Sequence, residues 1–377
     1  MLNRIEKTFT LRALLLADLA IGSLSAGLVS LSLAGTAAAE EFAQESPGAV
    51  YVLSNQPTAN SVLVYARDAN GSLTFSNSFA TGGTGAGTGA DPLGSQGSLT
   101  LGSGFLFAVN AGSNDVSMFA VRGTDLVLLD RKPSGGVMPV SVTVNGFHVY
   151  VVNAGGTPNI SGFFIDPLGG HLVPLPKSQR PLAGGTLAGP GDISFSADGS
   201  VLLVSEKGTN LIDTYRVNFL GYAAGPTSHP SNGIEPFGLA VTNRGFAIVA
   251  ETGPGAASSY DIHQNLKLLT GSVVLTQSAP CWLVTTHDGR FAYTANAGSG
   301  TISSLGIAPD GVLTLLNPVA VTVAAPLDLA ITHDSQFLYV REGTNSVSGF
   351  KVGTDGSLTL VGSWSGLPAG AQGIAAR

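Results

Sequence analysis

The sequence predicts an all-β fold: a seven-bladed β-propeller of four-stranded blades, with a C-terminal strand closing the first blade. Three observations predict it. One long phrase occurs twice, as "HDGRFAYTANAGSGTISSLGIAPDGVLTLL" from His287 and "HDSQFLYVREGTNSVSGFKVGTDGSLTLV" from His333. Apolar segments opened by proline return at Pro139, Pro190, Pro236, Pro280 and Pro326, spaced 51, 46, 44 and 46 residues apart. The tail "GAQGIAAR" repeats "GSQGSLTL" near residue 97, and the first unit, "GAVYVLSN", lacks that segment. A repeat of about 40–50 residues holding four short strands is the pattern of a propeller blade.

Each strand of the repeat has its own signal. The inner strand is a short apolar run after proline, as in "PVSVTV", "PGDISF", "PFGLAV", "PCWLVT" and "PLDLAI". The second is β-rich and ends on a polar residue, as in "FLFAVN", "HVYVVN", "VLLVSE", "FAIVAE", "FAYTAN" and "FLYVRE". The outer pair is joined by turns rich in Gly, Asp and Asn, which tolerate tight backbone geometry. Seven outer pairs can be counted, from "SLTFSNS" to "SLTLVGS". Residues 369–377 are expected to pair with the strand near Val50, which removes an open sheet edge.

The first 39 residues differ in kind. Arg4, Lys7 and Arg12 precede an apolar run from Ala13 to Leu33, and Ala37-Ala38-Ala39 offers a small-residue cleavage site. This is the plan of a secretory signal peptide, 1–39, followed by the propeller, 40–377. An uncleaved anchor is the rival reading. Either way the propeller is expected in the periplasm or outside the cell, with no membrane span in the mature chain. Removing residues 1–39 takes away three cationic and two acidic side chains, which shifts the net charge from −7 to −8. No basic patch survives, so nucleic acid is not an expected partner. Cys281 is the single cysteine, which excludes an internal disulfide.

Candidate functional residues fall where the repeats differ. At the end of the second strand the blades read Asn110, Asn153, Glu206, Glu251, Asn296 and Glu342. Asparagine there caps a tight turn; glutamate is a poorer turn residue with longer reach. At the channel-facing position of the inner strand stand Asp192, Asp328 and Trp282, and Glu235 and Arg341 lie nearby. All are expected at the mouth formed where the inner strands begin. Asp192, Asp328, Glu206 and Glu342 are the acid/base candidates, because paired carboxyls in a dry site have pKa values pushed apart. Trp282, Glu251, Glu235, Arg341, Asn110, Asn153 and Asn296 are candidates for holding a ligand. Capping of backbone amides near the axis is the structural alternative for both aspartates. His287 and His333 occupy equivalent turns at the far end, and no histidine spacing suggests a metal site. No cofactor motif is present.

The repeated phrase resembles the seven-bladed lactonase family, which includes 6-phosphogluconolactonase-like and carboxymuconate-cyclase-like proteins, and it overlaps with "YVTN"-type propellers. The likeness covers about residues 48–377. It implies ring opening or closing of a lactone by acid/base residues at the channel mouth; a monomer with no cofactor and no metal is expected. The phosphogluconolactonase-like members are expected to carry an Arg-His pair in "GPRH"; here that segment is Gly189-Pro190-Gly191-Asp192, and Met138-Pro139 stand where a further histidine is expected. The expected ligand is therefore an uncharged lactone or carbohydrate-like molecule. A propeller that binds a ligand, glycan or protein without catalysis is the alternative. Expression of the whole chain in an exporting bacterial host is expected to yield a product beginning at Glu40 by N-terminal sequencing; an intact Met1 would indicate the anchor instead.

Overall fold

The computed structural model describes residues 48–87 and 89–377; the proposed signal peptide lies outside them. Seven antiparallel sheets form the seven blades. Blade 1 takes its inner strand from the C-terminus: Ile374–Ala376 pairs with Gly48–Leu53, matching Val50 with Ala376, Tyr51 with Ala375 and Val52 with Ile374. Flanking bonds extend the seam, from Arg377 N–H to Ala49 O at 3.0 Å and from Leu53 N–H to Gly373 O at 3.0 Å. The expected ring closure is therefore present.

The inner strands of blades 2 to 7 are Leu99–Gly102, Val137–Asn145, Pro190–Phe195, Pro236–Val241, Pro280–Thr285 and Pro326–Ile331. The second strands behind them include Phe105–Asn110, Val201–Glu206, Phe246–Glu251 and Phe337–Glu342 and are almost wholly buried. Outer strands such as Leu73–Ala80 are mostly exposed. Burial thus falls from axis to rim, and the apolar alternation of the repeat fills the spaces between blades. Blade 3 departs from the pattern: its outer strand stops at Pro174, and the two-residue strand Arg180–Pro181 takes up the remaining edge of Asn159–Ile160. Pro174 and Pro176 lack the N–H that a continuing ladder needs.

Tyrosines on the second strands bolt neighbouring blades together. Tyr51 donates to Gly123 O at 3.3 Å, Tyr150 to Gly221 O at 2.8 Å, Tyr293 to Gly356 O at 3.1 Å and Tyr339 to Gly71 O at 2.7 Å. Each acceptor is a glycine at positive φ in the outer turn of the next blade, where a Cβ would be strained. Tyr339 spans the same junction that the C-terminal strand closes.

Ile374 is buried in the cluster at this junction. Ile374→Ala is expected to cost about 2–5 kcal/mol in chemical denaturation. Removing residues 372–377 is expected to lower stability further, because it bares the edge of Gly48–Leu53.

Candidate functional site

The inner strands end their sheets at the axis, so each presents one unpaired edge there. Their amides need partners. Alternating small polar side chains supply them across the blade gaps. Ser141 Oγ accepts from Ile193 N–H at 3.3 Å, Thr143 Oγ1 from Phe195 N–H at 3.2 Å and Asp192 Oδ2 from Leu239 N–H at 3.3 Å. The next position in the ring is Gly238, which has no side chain to offer. Gln96 fills the gap from a loop: its Oε1 accepts from Leu283 N–H at 2.8 Å. A Cβ on Gly238 would collide with that amide oxygen. Gln96 Nε2 also donates to Leu239 O, Leu283 O and Asp192 Oδ2 at 3.1, 3.0 and 3.2 Å.

Inside this ring lies a cavity of about 760 Å³. Asp192, Asp328 and Gln96 line its inner end; Ser103, His287, His333 and Arg377 line the other. Asp192 and Asp328 are each 2% exposed, whereas those latter residues are exposed. The cavity therefore opens at the face where the inner strands end. The expected opening, where they begin, is covered by the segment Gly89–Gln96. Trp282 Nε1–H donates to Ser95 O at 2.9 Å and Arg341 Nη1–H to Ala90 O at 3.0 Å, and Lys207 donates to Gly94 O.

Asp192 and Asp328 both border the cavity, but their bonding differs. Asp192 accepts from Ser141 Oγ–H at 2.9 Å as well as from Leu239 and Gln96. Burial still drives its carboxyl well above the usual range, and the charge of Asp328 adds to the rise. Asp328 Oδ1 accepts from Leu329 N–H at 2.8 Å, while Oδ2 is buried with no partner. Burial pushes Asp328 up to about 8. Asp328 thus holds a proton at neutral pH on a group facing the cavity, the state expected of a carboxyl in a dry site with few donors.

The other candidates are not gathered at the cavity. The residues ending the second strands are buried and bonded to neighbouring turns, either of the preceding loop or of their own blade. Asn110 donates to Asp115 Oδ1 at 2.6 Å and accepts from Thr81 Oγ1–H of blade 1 at 2.6 Å. Asn153 donates to Ser134 O at 3.3 Å and Asn296 to Ser303 Oγ at 2.8 Å. Glu206 accepts from Gly184 N–H at 3.0 Å and from Thr209; burial and the Asp213 carboxyl raise it to about 7. Glu251 accepts from Gly233 N–H at 2.8 Å and Ser272 Oγ–H at 2.6 Å, and Glu342 from Ser346 Oγ–H at 3.1 Å. Trp282 packs against Phe237 with ring centroids 5.1 Å apart and planes tilted by 58°. Glu235 is exposed, at φ 59°. Burial raises the Cys281 thiol to about 11.

Gln96 and the paired rings of His287 and His333, whose centroids are 4.6 Å apart, were not marked as site residues by sequence. The signal for Gln96 was present: "GSQG" and "GAQG" place Gln96 and Gln372 at one repeat position. Among the described residues no three His, Cys, Asp or Glu side chains are grouped to hold a metal, and no helix is long and apolar enough to cross a membrane.

No family model matches the chain, and no curated protein matches it. Solved structures share its fold. A Lactobacillus plantarum protein superposes with a TM-score of 0.70 at 17% identity, over 88% of this chain and 99% of that one. A candidate 6-phosphogluconolactonase from Bacteroides fragilis gives 0.65 at 16% identity, over 89% and 99%. The periplasmic gluconolactonase PpgL of Pseudomonas aeruginosa gives 0.64 at 15% identity, over 86% and 98%. The chain is thus a seven-bladed propeller similar in fold to gluconolactonase-type propellers.

Asp328 binds its proton more tightly in the folded chain, so its contribution to stability is full below about pH 4 and is lost as pH rises through about 8. Thermal melts from about pH 5 to about pH 9 are expected to fall for the wild type and to fall less for Asp328→Asn.

Proposed function

We propose that the protein is an exported lactonase-like propeller that opens a small, uncharged cyclic ester inside its central channel. The observation that carries this reading is the unpartnered oxygen of a buried, protonated Asp328 at the inner end of a solvent-open cavity. The gluconolactonase-type propellers of the same fold support the reaction class. The leader-like N-terminus and the periplasmic location in the name of one of them support export.

Ester opening needs a proton for the leaving oxygen and a base for water. Asp328 is the acid, because burial outweighs the opposing effect of its backbone donors and of Arg341 and leaves the protonated form favoured. Asp192 is the second acid/base candidate: Ser141, Gln96 and Leu239 donate to it, while burial and the charge of Asp328 raise its carboxyl. The burial of the pair, each 2% exposed, disfavours a charged ligand beside it.

A second reading has its own observation. Both aspartates are engaged with strand-edge amides, as a propeller that only binds a ligand would also require. Turnover of a panel of uncharged lactones decides between them. The catalytic reading expects turnover that weakens above about pH 8, with kcat reduced about 10²-fold or more in Asp328→Asn and Asp192→Asn. Saturable binding without turnover supports the second reading. Turnover untouched by both substitutions contradicts the site assignment.

A further inference from the structure

The face on which the channel opens carries an apolar feature that the channel chemistry does not use. Blades 3 and 4 raise four large apolar side chains there, at the tips of three short turns. Phe147 follows the inner strand Val137–Asn145 and is 50% exposed. Leu168, between the third and fourth strands of blade 3, is 96% exposed. Phe219 and Leu220, in the same place in blade 4, are 89% and 54% exposed. The other blades keep these positions polar or bare. Phe147 stands where they have Gly104, Ser200, Gly245, Arg290 and Gln336. Leu220 stands where Asn70, Arg122, Asp310 and Asp355 precede the turn glycine. None of the four apolar side chains lines the cavity.

The three turns are neighbours. Ile165 N–H donates to Phe147 O at 2.8 Å, and the rings of Phe147 and Phe164 lie 5.9 Å apart. Gly221, next to Leu220, sits so close to the His148 ring that a Cβ there would collide with it. The tip amides are bonded within their own turns. Asp166 accepts from Leu168 N–H at 3.0 Å and from Gly169 N–H at 3.2 Å. Asn218 Oδ1 accepts from Leu220 N–H and Tyr222 N–H, each at 3.0 Å. Residues 145–148, 166–171 and 217–222 contain no Lys or Arg, and Asp166 is their one carboxylate. Burial lowers the pKa of His148, so the imidazole beside the tips is neutral at pH 7.

We infer that these turn tips dock the propeller on a lipid bilayer with zwitterionic headgroups, inserting Phe147, Leu168, Phe219 and Leu220 among the lipids. Apolar side chains on turns whose amides are bonded internally can leave water without stranding donors. They project from three separate turns. A protein partner would need a pocket for each, across the roughly 800 Å² that a stable interface buries per partner, whereas a fluid layer takes them without one. With no cation in the turns, an anionic surface has nothing there to hold. The chain also enters the described fold at this face. Gly48 begins the second strand of blade 1, and Ala49 N–H donates to the carbonyl of Arg377, a residue of the cavity opening. The apolar run Ala13–Leu33 upstream reads as an export leader or an anchor, and either brings the chain to a bilayer.

Co-sedimentation of the exported chain with phosphatidylcholine vesicles tests this. Saturable partition is expected, unchanged as salt rises from about 0.1 M to about 1 M. Phe219→Ser and Leu168→Ser alter exposed tips and are expected to leave the thermal melt unchanged. Each is expected to weaken partition about fivefold, and the double variant to abolish it. Hydrogen exchange at the Leu168 and Leu220 amides is expected to slow on the vesicles. Absence of partition overturns the inference. So does partition that the double variant retains, or that requires anionic lipid. A concentration-dependent dimer that Phe219→Ser dissolves, without vesicle partition, assigns the tips to a second copy of the chain and overturns it as well. If the exported product retains Met1, slowed exchange at the two tip amides decides alone: unchanged exchange on the vesicles overturns the inference.

Discussion

Seven inner strands meet at the axis, and each leaves one row of backbone amides without a ladder partner. That constraint shapes the whole centre of the molecule. An unpaired, buried N–H costs about as much as a lost hydrogen bond, with nothing regained from water. Ser141, Thr143 and Asp192 meet the demand by reaching across to the next blade. Where Gly238 breaks the series, a glutamine from outside the blade takes over. The polar ring is first a device for closing sheet edges. Chemistry can use only what that duty leaves over, and Asp328 Oδ2 is the oxygen left over.

The same constraint accounts for the two faces of the ring. Gln96 must enter the channel to reach Leu283 and so carries its loop across the opening where the inner strands begin. Trp282, Lys207 and Arg341 then find their acceptors on that loop. Solvent reaches the cavity from the opposite face, past His287, His333 and Arg377. The closure of blade 1 takes part in both. Ile374 and Arg377 line the cavity, and Gln372, just ahead of the closing strand, holds Asp91 and Leu93.

Blade number, strand order and the C-terminal closure were legible because period-2 alternation and proline-opened strands repeat at one spacing. The inner-strand positions of Asp192 and Asp328 were legible by the same alignment. The open face was not, because the glycine-rich stretch ahead of "GSQG" has no counterpart in the other repeats and the course of Gln96 depends on a missing side chain at Gly238. The Asn and Glu residues ending the second strands read as variable and therefore functional. In the structure Asn110, Glu206 and Glu251 join their blades to the loop before, for which either residue type supplies the needed oxygen, while Asn296 and Glu342 brace the turn within their own blades. Gln96 was recoverable from its match with Gln372, but a repeat position read as scaffold gives no sign that its side chain spans the axis.

The account turns on a neutral carboxyl at the inner end of an open channel. Infrared difference spectra of the wild type against Asp328→Asn, followed through a pH titration, measure that state directly. A protonated carboxyl band at pH 7 that disappears near about pH 8 is the predicted result. A carboxyl already ionised at about pH 5, as in a solvated aspartate, would contradict it.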